Sequence, residues 1–228
     1  MPIDAIVWYV AFVLSTTAHE AAHALVAYLG GDPTAYHAGQ VSLNPLPHIR
    51  REPFGMVVMP LIGLFSGGWC LGWASTPYDP RWEQRHPRRA AWMAAAGPGA
   101  NLLLASFAFG VLWLGLAGGF FFAPDSVSYS RLVFSNAVLL DGLGRFLSIM
   151  LLLNMVLFLL NLLPIPPLDG ATAIGLVLSE DLALRLREAL RAPGIAIVAL
   201  VLIFLGFGRV VRPLWRGLVE LLHPGLYS

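Results

Sequence analysis

Lysine is absent from this 228-residue chain, and all fourteen basic residues are arginine. Charge of either sign is scarce: acidic and basic residues together make up 12% of the chain, about half the share of a soluble globular domain. The net charge of +1 offers no basic surface for nucleic acid. The single cysteine, Cys70, excludes an internal disulfide and a thiolate metal site, and carries no information about redox compartment. Internal repeats and low-complexity tracts are missing. No arginine precedes the first apolar run and no A-x-A cleavage site follows it, so that run is expected to be a retained span and not a signal peptide. What fills the chain is apolar, with 57% hydrophobic residues and a mean hydropathy of +0.72. That is enough for several membrane spans of about 20 residues in a single domain over residues 1–228.

The expected fold is an all-α polytopic membrane protein with about four full transmembrane helices, a short β-hairpin and one re-entrant segment. The first helix covers 3–29 and stops at Gly30-Gly31-Asp32-Pro33. Residues 34–89 form a strand and re-entrant region. Within it, Tyr36 to Leu43 alternates roughly in polarity, and 54–74 is apolar but rich in glycine with Pro60, too broken for an ordinary span. The next helix, 90–122, is interrupted near its start by Gly97-Pro98-Gly99-Ala100-Asn101. The helix assigned to 146–170 is a strongly apolar span over 146–163 that runs into Pro164-Ile165-Pro166-Pro167-Leu168-Asp169-Gly170. Residues 171–192 read as an interfacial amphipathic helix, 194–208 as a final short span, and the tail as amphipathic.

Chemistry enters with Ala18-His19-Glu20-Ala21-Ala22-His23, in the middle of the first apolar run. Residues four apart share one face of a helix, so His19 and His23 can present two imidazoles to one metal ion with Glu20 beside them, the H-E-x-x-H pattern of zinc hydrolases. Ionisable groups in lipid are costly without a partner, which favours a metal site over a chance match. A catalytic zinc needs a third protein ligand and an open position. Asp169, attached to the end of an apolar span beyond several prolines, is the candidate; its alternative is a helix-start cap at the membrane interface.

Topology tests that pairing. At about 1.5 Å per residue the histidine pair lies about 25 Å along its helix and Asp169 about 35 Å along its own. Parallel spans leave an offset of about 10 Å, and antiparallel ones about 20 Å. Parallel spans require 3–29, 90–122 and 146–163 to be consecutive crossings, so 54–74 must not cross. One side then holds nine arginines (50, 51, 81, 85, 88, 89, 185, 187 and 191) against five (131, 145, 209, 212 and 216) on the other. By the positive-inside rule the metal site lies toward the cytoplasm of a multi-pass cell-membrane protein.

The chain resembles the site-2 protease family of intramembrane zinc metalloproteases. The matching motifs are His19-Glu20-Ala21-Ala22-His23, Gly97-Pro98-Gly99-Ala100-Asn101 in the G-P-x-x-N position, and Asn161-Leu162-Leu163-Pro164-Ile165-Pro166-Pro167-Leu168-Asp169-Gly170 in the N-x-x-P-x-P-x-L-D-G position. The resemblance implies one Zn2+ held by His19, His23 and Asp169, with Glu20 as the base that activates water. It implies an edge strand through Gln40, Val41, Ser42 and Leu43 that pairs with an unwound substrate. It also implies a membrane-anchored protein substrate such as an anti-sigma factor or transcription regulator.

Asn161 and Asn101 are candidate donors to the substrate backbone or the developing oxyanion, with interhelical hydrogen bonding the alternative for Asn101. The Pro164–Pro167 break and the glycine-rich segment are expected to wall the water path. No inserted PDZ or CBS domain and no span before the H-E-x-x-H helix are expected. His37, His48, His86 and His223 are expected to be surface residues of loops and tail, outside the site. The rival reading is a metal-binding membrane protein or transporter without proteolytic activity, against which stands the clustering of the polar residues at one depth.

Overall fold

The computed structural model describes residues 2–67, 70, 72–179, 182, 183, 185, 186, 189 and 194–226. Among the described residues three helices are long and apolar enough to cross a membrane: α1 (Pro2–Leu29), α6 (Pro87–Ala117) and α7 (Val138–Asn161). Between α1 and α6 lie the short helices α2 (Thr34–His37), α3 (Pro45–Arg51), α4 (Met59–Gly67, entered through a π-helical turn, Phe54–Val58) and α5 (Pro80–Arg85). After α7 come α8 (Gly170–Ala173) and α9 (Ile195–Leu222).

The three spans pack on one another through named contacts that fix their directions. Arg145 Nη1, near the start of α7, bonds Asp4 Oδ1 at 3.3 Å, and Asn154 Nδ2 bonds Ser15 Oγ at 2.8 Å, so residue numbers rise together and α1 and α7 run parallel. Asn101 to Asn154, and Gly115 and Gly144 both against Phe121, place α6 antiparallel to α7. Apolar side chains that include Phe12, Leu112, Ile149, Leu151 and Leu152 fill the space between them. Lipid is as apolar as these side chains, so packing fit and interhelical hydrogen bonds select the arrangement. Such bonds contribute only about 0.6 kcal/mol each on average in a membrane, so these fix register more than they stabilise.

The region 54–74 turns back on itself. Its apolar helix is too short to cross. The chain returns beside its own start, where Trp73 N donates to Gly55 O at 3.2 Å and Ser75 Oγ to Glu52 Oε1 at 2.5 Å. A side chain at Gly55 would meet the Trp73 carbonyl at 2.2 Å, so glycine allows the two limbs to touch.

The expected strand over Gln40–Leu43 does not form, and no sheet is present among the described residues. Thr34–His37 is helical instead. Asp32 Oδ1 accepts from Thr34 N and Oγ1, and Asn44 Oδ1 accepts from Leu46 N to start α3 with Pro45 in its first turn. Two helix starts flank Gly39, whose φ of +71° makes a turn. They outweigh the weak alternation between them. Burial raises the Asp32 pKa, but its bonds from Thr34 and from Asp79 N bring it below the ordinary carboxylate value, tying the loop after α1 to the loop before α5.

Two boundaries also change. Helix α6 runs unbroken through Gly97-Pro98 and ends at Ala117. The segment after it folds back through isolated bridges, Phe122 with Phe134 and Ser128 with Arg131. The last span expected over 194–208 is part of the longer α9, much of whose first half presents side chains outside the described residues. Its second half packs Val211, Leu218, Val219 and Leu222 into the common core. Of the amphipathic helix expected over 171–192, the described residues comprise α8, a 3-10 turn (Ile174–Leu176) and helical backbone at 182, 183, 185, 186 and 189, while 180, 181, 184, 187, 188 and 190–192 lie outside them.

Candidate metal centre

His19, Glu20 and His23 lie well inside α1, and all three are buried. The helical repeat places His19 over His23, with their Nε2 atoms 2.9 Å apart. The third group arrives from beyond α7. After Asn161 the chain unwinds through Leu162–Asp169, with a cis Pro166–Pro167 bond, and Asp169 stands at the N-terminus of α8. Its side chain makes no capping bond there. Instead Oδ2 lies 3.0 Å from His19 Nε2 and Oδ1 3.3 Å from His23 Nε2.

The opposite nitrogens of both rings are already committed. His23 Nδ1 donates to the Met93 carbonyl at 2.7 Å, and His19 Nδ1 donates to Asn101 Oδ1 at 2.6 Å. With the protons on Nδ1, both Nε2 atoms turn lone pairs toward each other and toward the carboxylate. Three acceptors within 4.8 Å of one another call for a cation between them. Ligands about 2 Å from a tetrahedral zinc lie about 3.3 Å apart, close to the spacings found, and two imidazoles with one carboxylate are a known catalytic donor set. The residues fit the ion.

Gly97 completes the fit. A Cβ there would fall 2.3 Å from His23 Nε2 and 2.5 Å from His19 Nε2, against both imidazole nitrogens that face the ion. Gly97→Ala is therefore expected to expel the metal while the helices stay folded; zinc analysis checks this, and full occupancy in the variant would contradict it.

The comparisons with known proteins bear on the same residues. The model of Peptidase family M50 matches residues 7–205, which contain all three motifs. This chain belongs to that family, the family of site-2 proteases. It is 38% identical over 162 residues to "Putative zinc metalloprotease YwhC" of Bacillus subtilis, covering 71% of this chain and 64% of that protein. It is 31% identical over 192 residues to "Putative zinc metalloprotease Rip2" of Mycolicibacterium smegmatis (84% and 64%), and 30% over 196 residues to the protein of that name in Mycobacterium tuberculosis (85% and 64%). The chain thus spans 64% of the length of these relatives. No solved structure matches it.

Around the M50 motif residues the structure adds a group the sequence left unmarked. Thr76, on the returning limb of the re-entrant segment, places Oγ1 2.7 Å from Glu20 Oε2 and 3.0 Å from the Glu20 carbonyl, fixing the carboxylate beside the histidines. A cavity of about 220 Å³ opens onto Glu20, His23 and Asp169, bounded by Ser75 and Thr76 on one side and Pro167 and Leu168 on the other. Of the two segments expected to wall a water path, the glycine-rich one contributes Ala74 and the proline break Pro167 to this lining.

Other candidates move away from the expected roles. Asn101 is fully buried, with Oδ1 on His19 and Nδ2 donating to Asn154 Oδ1 at 2.8 Å; both ends of its amide are used inside the protein, and it is not positioned as a substrate donor. Asn161 is the last residue of α7, where the chain begins to unwind toward Asp169. Gln40 is buried, Val41 and Ser42 are half-buried, and Leu43 is exposed. His48 and His223, expected on the surface, are buried, their Nε2–H groups donating to the carbonyls of Ser42 and Leu132. Neither joins the metal centre.

Proposed function

We propose that this chain is an intramembrane zinc endopeptidase that cleaves membrane-spanning or membrane-proximal segments of membrane-anchored proteins. The observation that carries this reading is the convergence of His19, His23 and Asp169 beside Glu20, inside a bundle of spanning helices and open to a small polar cavity. Zinc bound there supplies a Lewis acid that polarises a peptide carbonyl and acidifies water. Glu20, held by Thr76, takes the proton from the attacking water and returns it to the leaving amine. Asp169 and the two histidines keep their lone pairs on the ion. Asn161 is the proposed donor to the substrate backbone.

A groove of about 630 Å³ lies on the neighbouring face of α1, floored by Ala18, Ala21 and Ala22 and rimmed by Val41–Leu43, Leu103 and Phe107. Small residues on the floor and apolar residues on the rim suit a membrane segment of a substrate lying against the helix that carries the site. A substrate helix hides its carbonyls, so it has to unwind locally before cleavage. The arginine asymmetry orients the cavity toward the cytoplasm of the cell membrane. Membrane-anchored regulators such as anti-sigma factors are the substrate class to search first.

The test is proteomics of membrane fractions from cells carrying either the native chain or its Glu20→Gln variant. A single-span protein that accumulates intact only with the variant is the expected result. Identical profiles, or accumulation of soluble proteins alone, would overturn the proposal.

A further inference from the structure

One polar side chain in the interior has no part in the chemistry above. Asn154 lies in the middle of α7, fully buried, with Leu151, Leu152 and Leu153 on one side in sequence and Met155, Val156 and Leu157 on the other. Its Nδ2 donates to the Met150 carbonyl and to Ser15 Oγ, both at 2.8 Å. A backbone carbonyl can only accept, so this bond fixes which end of the Asn154 amide is nitrogen and leaves Oδ1 facing Asn101. Asn101 must then present its nitrogen to Asn154 and its oxygen to His19. An oxygen at that place accepts only from a protonated Nδ1, which leaves the Nε2 lone pair of His19 for the metal.

We infer that Asn154 is a positioning residue for the metal centre: through Asn101 it sets the tautomer and ring orientation of His19 from a backbone carbonyl of α7. His23 is fixed in a single step by the Met93 carbonyl of α6. His19 has no carbonyl at its Nδ1, and the two-asparagine relay carries the same information across from the third helix. Each of the three spans therefore contributes to the setting of the histidine pair. Groups that orient metal-bound histidines typically change metal affinity by about 10-fold to 100-fold when removed. The inference rests on the metal reading of the site.

The test compares zinc affinity by chelator competition in the native chain, Asn154→Leu, Asn101→Leu and the double variant, each purified intact in detergent. The cobalt-substituted proteins add an absorption spectrum that reports ligand geometry without turnover. Asn154→Leu is expected to weaken zinc binding by about 10-fold or more and to alter the cobalt spectrum. The double variant is expected to be no weaker than the worse single one, because the relay is one chain of bonds.

Ser15→Ala removes another partner of Asn154 but leaves the Met150 carbonyl in place, so it is expected to keep native zinc affinity even where it lowers thermal stability. A merely structural role predicts instead that both variants lose stability and neither changes zinc affinity or the cobalt spectrum; that result, or strictly additive losses in the double variant, overturns the inference alone. Should Asn154→Leu fail to fold, Asn101→Leu must still reproduce the loss and the spectral change, and native behaviour there overturns the relay. Absence of zinc from the native chain overturns the metal reading and the relay with it.

Discussion

Glu20→Gln is expected to abolish cleavage of a membrane-anchored substrate while leaving one zinc per chain. The amide is nearly isosteric with the carboxylate, and its oxygen can still accept from Thr76, so the helix and the ligand histidines keep their places. What the variant lacks is a group that can take a proton from water and return it to the leaving amine. Positioned general acid–base catalysis typically contributes about 10²-fold to 10⁴-fold, and here one side chain is asked to serve both transfers. Cleavage of a single-span reporter in vesicles, measured beside metal analysis of the same preparation, checks both halves. Retained proteolysis would remove Glu20 from the chemistry; loss of zinc would show that it supports the ion and not the proton.

The chain shows unevenly what its sequence can disclose. His19, Glu20 and His23 were legible because helical periodicity is local: four residues apart means one face, whatever the rest of the protein does. The parallel course of α1 and α7 was legible too, because helix rise converts residue numbers into depth, and depth can be compared across spans. The Arg145–Asp4 and Asn154–Ser15 bonds agree with that comparison. The loop before α3 was misread, since a weak alternation over eight residues competes with the short-range bonds that Asp32 accepts from Thr34 and that Asn44 accepts as the cap of α3.

Thr76 and Asn154 were missed for different reasons. Thr76 reaches Glu20 only because the re-entrant limb returns, a long-range event that no local pattern announces. Asn154 did carry a signal: an amide in the centre of an unbroken apolar helix is expensive unless it is paired, and intramembrane polar residues mark function by default. The same rule drew attention to the histidines of α1 and applied equally to α7. Gly97 was visible as part of a motif, but its reason appears only in three dimensions, where the missing Cβ is the space between two imidazole nitrogens.

Asp169→Ala should give the opposite phenotype to Glu20→Gln: loss of the metal itself, with inactivity as the consequence. The carboxylate is the only anion among the three ligand candidates, and the two imidazoles are neutral donors whose other nitrogens are held by Met93 and Asn101. Removing it leaves two ligands from one helix, short of the three that a catalytic zinc site uses. The fold should survive, because the Asp169 side chain makes no cap to α8, and the backbone carbonyl that Thr172 and Ala173 bond is unchanged by the substitution.

Asp169→Asn separates charge from geometry: it keeps an oxygen near the histidines but offers a neutral one, so zinc should bind more weakly than in the native protein and more tightly than in Asp169→Ala. Zinc stoichiometry after dialysis against a graded series of chelators orders the three proteins. Full occupancy in Asp169→Ala would exclude this carboxylate as a ligand. The His19–His23 pair would then need a third partner from elsewhere, and the parallel pairing of α1 with α7 would no longer explain why the unwound segment ends where it does.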